Sequence, residues 1–233
     1  NLKNYYTIKF KTCNVTFDET GVTCDAGMNM DNVIKICLQN NLKGLEHFSA
    51  IPGNVGGCTF MNIHYRTHFL ADYIETIYAF RISEMKFCEI DCKSVNFTYK
   101  NNLFKSTNDY IIYKVKFRLE KMSDEIPLET RNTIIDFRAT RYPTSNTCGC
   151  FFYNLPLAGQ EKSIGYQIEQ LALDTSTYGN VTLYKSHKNM FITNNRCTSA
   201  EVLDLASDIS AKIYVKLGLK PEIECRLIGF QNN

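Results

Sequence analysis

Ile51-Pro52-Gly53-Asn54-Val55-Gly56-Gly57, leading into Thr59-Phe60-Met61-Asn62, is the stretch whose geometry separates the possible folds. Three glycines within five residues leave backbone N–H groups able to point at one concave spot, which is how a loop holds a pyrophosphate without a cluster of lysines. The spacing is not the GxGxxG of a dinucleotide-binding turn. No βαβ unit with an acidic residue follows it, so a doubly wound parallel sheet is disfavoured. Taken alone, the stretch also reads as an ordinary structural turn, because glycine is the usual residue wherever φ must be positive.

On its amino side, Tyr6, Ile8 and Phe10 alternate with polar neighbours, and an extended run over 22–25 follows the Thr20-Gly21 turn signal. The chain is therefore expected to open in strands. Val33, Ile34, Cys37 and Leu38 recur at helical spacing after Asp31, and Asn40-Asn41 ends that helix before Gly44. On the carboxyl side, β-branched and aromatic residues predict strands over 73–82, 87–90 and 110–119. A helix over 127–138, with Pro127 in its first turn, closes this region. Beyond Arg141 the pattern predicts a loop, a helix over 163–173 and strands over 181–184 and 190–193. Thr198-Ser199-Ala200-Glu201 is a capping box, after which Val202, Leu205, Ile209 and Ile213 share one helical face up to Gly218. A last strand is expected over 222–228. This mixture of elements is α+β.

Composition narrows the class. A chain of 233 residues, 44% hydrophobic, can pack one large domain or two smaller ones. Its net charge of +2, from 26 basic and 24 acidic residues, supplies no footprint for nucleic acid and no polybasic segment for a membrane surface. No apolar run reaches spanning length. Ten cysteines scattered through a mid-sized chain without a signal peptide read as reduced thiols of a cytoplasmic protein. Cys148 with Cys150, Cys88 with Cys92, and His64 with His68 lack the matched spacing of a zinc site, so no metal is expected.

A second motif carries chemistry: Thr147-Cys148-Gly149-Cys150-Phe151-Phe152-Tyr153-Asn154-Leu155-Pro156. Gly149 lets the backbone approach a ligand, Phe151 and Phe152 can wall out water, and the Asn154 amide both donates and accepts. The plainer alternative is a loop packed by two phenylalanines around inert thiols.

The glycine-rich stretch with Asn62 is followed by Phe97-Thr98-Tyr99-Lys100-Asn101-Asn102-Leu103-Phe104-Lys105, then Gly149-Cys150-Phe151-Phe152-Tyr153-Asn154. His187-Lys188-Asn189-Met190-Phe191-Ile192 and Glu222-Ile223-Glu224-Cys225-Arg226 come next. In that order the five motifs resemble the UDP-N-acetylenolpyruvoylglucosamine reductases. The resemblance covers nearly the whole chain. It implies an FAD enzyme that uses NADPH to reduce a UDP-sugar enolpyruvyl ether to UDP-N-acetylmuramate for peptidoglycan. The implied fold is α+β, an FAD-binding domain of the UDP-N-acetylmuramate dehydrogenase/vanillyl-alcohol-oxidase type plus a smaller substrate-binding domain. The implied boundaries are 1–140 for FAD binding, 141–217 for substrate, and 218–233 as a strand returning to the FAD-binding region. A monomer is expected.

The resemblance also implies roles. Cys150 stands where the family usually has the serine that protonates the reduced substrate, and a thiol, with a reference pKa of about 8.5, is a stronger acid than an alcohol. Glu224 matches a glutamate near the substrate carboxylate and could relay or orient that proton. Lys100 replaces an arginine that holds the carboxylate, keeping the charge and losing the planar fork. Pro52, Gly53, Asn54, Val55, Gly56, Gly57, Asn62 and Tyr99 are the implied cofactor contacts, and Asn154, Glu169 and Arg226 the implied substrate contacts. Asn62 is followed by Ile63-His64-Tyr65-Arg66 rather than the family's Asn-Ala-Gly-Ala-Tyr-Gly, and Tyr153 replaces a lysine. Members normally begin with a small domain carrying a Gly-Ser-Asn phosphate loop, so the chain is expected to be a piece lacking that part. Two alternatives stay open on these departures: another FAD-linked oxidoreductase of the same architecture, or a non-catalytic UDP-sugar-binding remnant.

Overall fold

The computed structural model describes residues 7–98, 101–173 and 178–229. They fall into two compact units that divide between Arg138 and Ala139. In the first, a hairpin joins β1 (Val15–Asp18) to β2 (Gly21–Asp25), its turn closed by the Asp18 carboxylate accepting from the Thr20 and Gly21 amides. α1 (Met30–Gln39) follows, capped by the Asn29 side chain, and then come β3 (Leu42–Lys43), α2 (Val55–Met61) and the short hairpin of β4 (His64–Tyr65) and β5 (His68–Phe69). β6 (Ile74–Arg81), β7 (Lys86–Asp91), α3 (Leu103–Thr107), β8 (Tyr110–Arg118), β9 (Glu120–Lys121) and α4 (Ile126–Arg141) complete the run.

Five strands form one antiparallel sheet in the order β1-β2-β8-β6-β7, and β3 pairs separately with β9. Val22 lies opposite Phe117 and Ile77 opposite Val115, and all four are fully buried. The α1 stripe of Val33, Ile34, Cys37 and Leu38 shares their core. Its 3.6-residue spacing therefore sets which side of α1 meets the sheet.

In the second unit α5 (Ile164–Glu169), the antiparallel pair β10 (Val181–Leu183) and β11 (Phe191–Thr193), and α6 (Ser199–Leu217) surround a separate core. Leu205, Ile209 and Ile213 bring the apolar face of α6 into it. The capping box forms as the sequence predicts, with Thr198 accepting from the Glu201 amide and Glu201 accepting from the Thr198 amide. Gly218 ends α6 at φ +70°.

Four expectations change. Tyr6 lies outside the described residues, and 7–14 form no strand. The alternation at Ile8 and Phe10 is present, but a strand also needs a neighbour's backbone groups, and this segment has no ladder. It runs instead beside Gly27, where an added Cβ would meet the Phe10 carbonyl oxygen at 2.8 Å. The stretch 55–61, read as part of a turn, is helical. α5 is shorter than 163–173, because Ala172 turns to φ +48° and its amide returns to the Glu169 carbonyl. The strand expected over 222–228 reduces, among the described residues, to one bridge, Ile223 to Phe152.

Candidate functional site

The glycine-rich stretch is tied down more tightly than its composition suggests. The Val55 amide donates to the Met28 carbonyl at 2.8 Å and the Gly56 amide to the Ala26 carbonyl at 2.9 Å, while Met30 donates to the Gly53 carbonyl at 3.0 Å. Two of the amides expected to hold a phosphate are thus spent inside the protein. Gly56 is required by packing, since a Cβ there would sit 2.8 Å from the Ala26 Cβ. Gly53 is required by its backbone, at φ +150°. Val55 is core and Pro52 is exposed. Asn62 ends α2 in the left-handed region at φ +43°, and its Oδ1 accepts from the Ala71 amide at 2.9 Å. Tyr99 and Lys100 lie outside the described residues.

Beside this stretch is a cavity of about 560 Å³. Gly53, Asn54, Gly56 and Gly57 form one wall, and Phe10, Phe60, Tyr110 and Ile112 give it apolar and aromatic lining, with Lys9 also at its edge. A Cβ added at Gly57 would meet no atom within 4 Å, so that part of the wall is bare backbone facing open space. Backbone unobstructed by side chains, flat apolar lining and one cation are what a planar aromatic group bearing phosphates requires. The residues therefore fit part of a flavin nucleotide. Lys9 and Tyr110 escaped the sequence reading because neither lies in a motif; only the tertiary fold brings them to the glycines.

Cys150 belongs to the second unit, in the middle of three short extended segments. On one side Cys150 bridges to Met190, and the Phe151 amide donates to the Asn189 carbonyl at 2.8 Å. On the other the Glu224 amide donates to the Phe151 carbonyl at 2.8 Å and the Tyr153 amide to the Glu222 carbonyl at 2.9 Å. Cys150 and Glu224, 74 positions apart in the chain, so become neighbours on adjacent segments, both half-buried. Phe151 and Phe152 do not wall a ligand as expected. They are core residues, 2% and 1% exposed, with Phe151 stacked on Phe191 at 4.4 Å between ring centroids. Their part is to fix the backbone that carries Cys150.

Asn189 does the same and was not singled out from sequence. Its buried side chain accepts from the Phe152 amide at 3.0 Å and donates to the Phe152 carbonyl at 2.8 Å. Asn189→Ala strands both groups in an apolar setting, and is expected to lower stability by about 2 kcal/mol. Thermal unfolding followed by circular dichroism checks this, and an unchanged midpoint would contradict the assigned role.

The substrate candidates separate. The Asn154 Oδ1 accepts from the Ile164 amide at 3.4 Å at the start of α5, so its oxygen is engaged with the protein. Glu169 is the exposed last residue of α5, and Arg226 is exposed two residues beyond Glu224. Of the suggested metal pairs, His68 is engaged otherwise: its Nδ1 is 2.9 Å from the Tyr73 hydroxyl and its ring stacks on His47 at 3.6 Å. Among the described residues no group of three or more His, Cys, Asp or Glu is placed to hold a metal ion.

An antiparallel five-stranded sheet backed by α1 and α2, with a smaller α+β unit after it, defines a protein of the UDP-N-acetylmuramate dehydrogenase fold class. A solved UDP-N-acetylenolpyruvylglucosamine reductase from Thermus caldophilus shares this fold with a TM-score of 0.74 at 23% identity, over 91% of this chain and 73% of its own. Residues 141–228 match the family described as UDP-N-acetylenolpyruvoylglucosamine reductase, C-terminal domain. The reductase of that name from Xylella fastidiosa (strain M12) is 27% identical over 260 residues, 92% of this chain and 74% of the relative. The one from Borreliella burgdorferi is 28% identical over 221 residues, 93% and 71%. The chain is thus similar to UDP-N-acetylenolpyruvoylglucosamine reductases over most of its length, and over 141–228 to the C-terminal domain of that family.

Proposed function

We propose that this protein reduces UDP-N-acetylglucosamine enolpyruvate to UDP-N-acetylmuramate, a step of peptidoglycan precursor synthesis, using FAD and NADPH. Similarity to the UDP-N-acetylenolpyruvoylglucosamine reductases supports the reaction class. The observation that carries the assignment to this chain's own residues is the bond from the Glu224 amide to the Phe151 carbonyl, which brings the backbone of the Glu224 segment alongside that of the Cys150 segment.

The bare wall at Gly53, Asn54 and Gly57 and the aromatic lining at Phe60 and Tyr110 would hold part of the FAD, with Lys9 at hand for its diphosphate. When bound, FAD supplies the hydride that saturates the enolpyruvyl group. What this chain adds is a proton and its placement. Cys150 holds the proton on Sγ for the α-carbon of the substrate, a role that asks for an acid within reach of one atom and held still. The buried, hydrogen-bonded Phe151–Phe152 backbone supports the second requirement. Glu224 orients the thiol and the incoming carboxylate, and Lys100 balances the charge of that carboxylate. Arg226, Glu169 and the donating Nδ2 of Asn154 meet the UDP-sugar.

Under this reading NADPH consumption beyond reduction of the bound flavin requires the enolpyruvyl substrate, and the product is heavier than the substrate by two hydrogens. Mass spectrometry of the product tests it. NADPH consumption that does not respond to the UDP-sugar would favour another oxidoreductase on the same architecture.

A further inference from the structure

Two cysteines outside the proposed chemistry meet at the edge of the Cys150 segment. The sulfurs of Cys148 and Cys225 are 3.1 Å apart, although the residues are 77 positions apart in the chain. The spacing is maintained from both sides by the backbone, because Cys148 precedes the Cys150–Met190 bridge and Cys225 follows the Glu224–Phe151 bond. The Cys225 sulfur also lies 3.6 Å from the Cys150 carbonyl, which aims it along this seam. Cys148 is exposed and Cys225 half-buried, and both are free thiols. A disulfide needs its sulfurs at about 2.05 Å, so closure asks for roughly 1 Å of movement between segments already in register.

We propose that Cys148 and Cys225 are a peroxide-sensitive dithiol that closes to a reversible disulfide alongside Cys150 and Glu224. The Cys148 thiolate attacks one oxygen of hydrogen peroxide, the O–O bond breaks, and Cys148 becomes a sulfenic acid as hydroxide leaves and is protonated to water. The Cys225 sulfur then attacks the sulfenic sulfur. The S–O bond breaks, the Cys225 proton leaves with the oxygen as a second water, and the S–S bond forms. Two thiols are oxidised by two electrons in all, and one peroxide is reduced to two waters. A small-molecule dithiol returns both thiols by exchange.

The division of labour follows from the local chemistry. The hydrogen bond from Cys225 holds the Cys148 thiol down to about 7, while the same contact and burial push Cys225 up. The exposed partner is therefore the thiolate that meets peroxide, and the covered one resolves it. Three buried cysteines differ in this respect. Cys24, Cys37 and Cys58 are buried, and desolvation pushes each thiol up.

Disulfide mapping on the full chain tests this. The protein is treated with one equivalent of hydrogen peroxide, blocked with iodoacetamide and digested with trypsin. The expected species is peptide 142–162 joined to peptide 217–226, with two of the ten thiols lost and both regained on treatment with dithiothreitol. Because 142–162 also contains Cys150, the variants decide the pairing: Cys148→Ser and Cys225→Ser are expected to abolish the joined species and Cys150→Ser to keep it. A joined species that survives in Cys148→Ser, or peroxide that consumes thiols without joining these peptides, overturns the proposal. A consequence for catalysis rests on the function proposed above. Since a 1 Å misplacement can cost about a hundredfold, the oxidised protein is expected to turn over at least about tenfold more slowly, and Cys148→Ser to resist that loss. The peptide map stands or falls without it.

Discussion

Cys150→Ala is expected to lower the rate of UDP-N-acetylmuramate formation by about 10²–10⁴-fold, the usual worth of a positioned general acid. Reduction of the flavin by NADPH should be unaffected, because the residue is assigned only to the proton. Cys150→Ser should retain measurable turnover: the hydroxyl is a weaker acid but keeps a proton on the same Cβ, and a serine is what the sequence resemblance implies for this position. Folding should change little in either variant, since Cys150 is half-buried while the adjacent Phe151 and Phe152 supply the packing. Rapid-quench measurement of product against flavin reduction separates the two steps. An alanine variant as fast as the parent would remove Cys150 from the mechanism.

The second large effect concerns stability. Arg131 on α4, 8% exposed, donates to both carboxylate oxygens of Asp31 on α1, at 2.7 and 2.9 Å, and to the hydroxyl of Ser49 at 2.9 Å. Breaking a buried pair by removing one partner costs about 3–5 kcal/mol. Asp31 keeps about a quarter of its exposure together with Lys35 at 3.2 Å and the Ala50 amide, so Arg131→Ala is expected near the lower end, about 3 kcal/mol. The chain contains no tryptophan, so urea unfolding is best followed by far-ultraviolet circular dichroism. The pH dependence has a definite sign. The Arg131 guanidinium holds the Asp31 carboxyl well below the usual carboxylate range. Stability from this pair is fully present above the unfolded value of about 3.9 and is lost as pH falls towards the folded one. Arg131→Ala should therefore flatten the acid side of the stability curve, and an equally steep acid loss would contradict the assignment.

Periodicity made much of this fold legible. α1 and α6 bury the faces their sequences mark, and α6 begins and ends at the capping box and glycine that predict it. The strands β6, β7 and β8 fall within a residue or so of their expected bounds, because β-branched and aromatic residues suit a half-buried pleated surface. α2 was hidden by composition. Gly56 and Gly57 oppose a helix by about 1 kcal/mol each relative to alanine, and the helix forms because Val55, Cys58 and Thr59 are buried and Gly56 seats against Ala26. The segment 7–14 failed for the opposite reason, since a strand-like pattern carries no information about whether a neighbour exists.

The candidate site divides along similar lines. Cys150 and Glu224 stood out through motif resemblance, and no local signal says that the fold brings their segments side by side. The buried side chain of Asn189 joins a residue 37 positions away, and the Cys148–Cys225 approach spans 77. Such contacts are properties of the folded chain, invisible to any rule that reads a window of sequence. For the same reason the glycine stretch misled in detail: its amides at Val55 and Gly56 find partners at Met28 and Ala26 that only the tertiary structure supplies.

The most direct test of the reductase reading is an anaerobic titration of the full protein loaded with FAD. NADPH is added until the flavin absorbance bleaches, and UDP-N-acetylglucosamine enolpyruvate is then added without further NADPH. The expected result is return of the oxidised flavin band, with one UDP-N-acetylmuramate formed per flavin. A flavin that stays bleached in the presence of saturating UDP-sugar would contradict it.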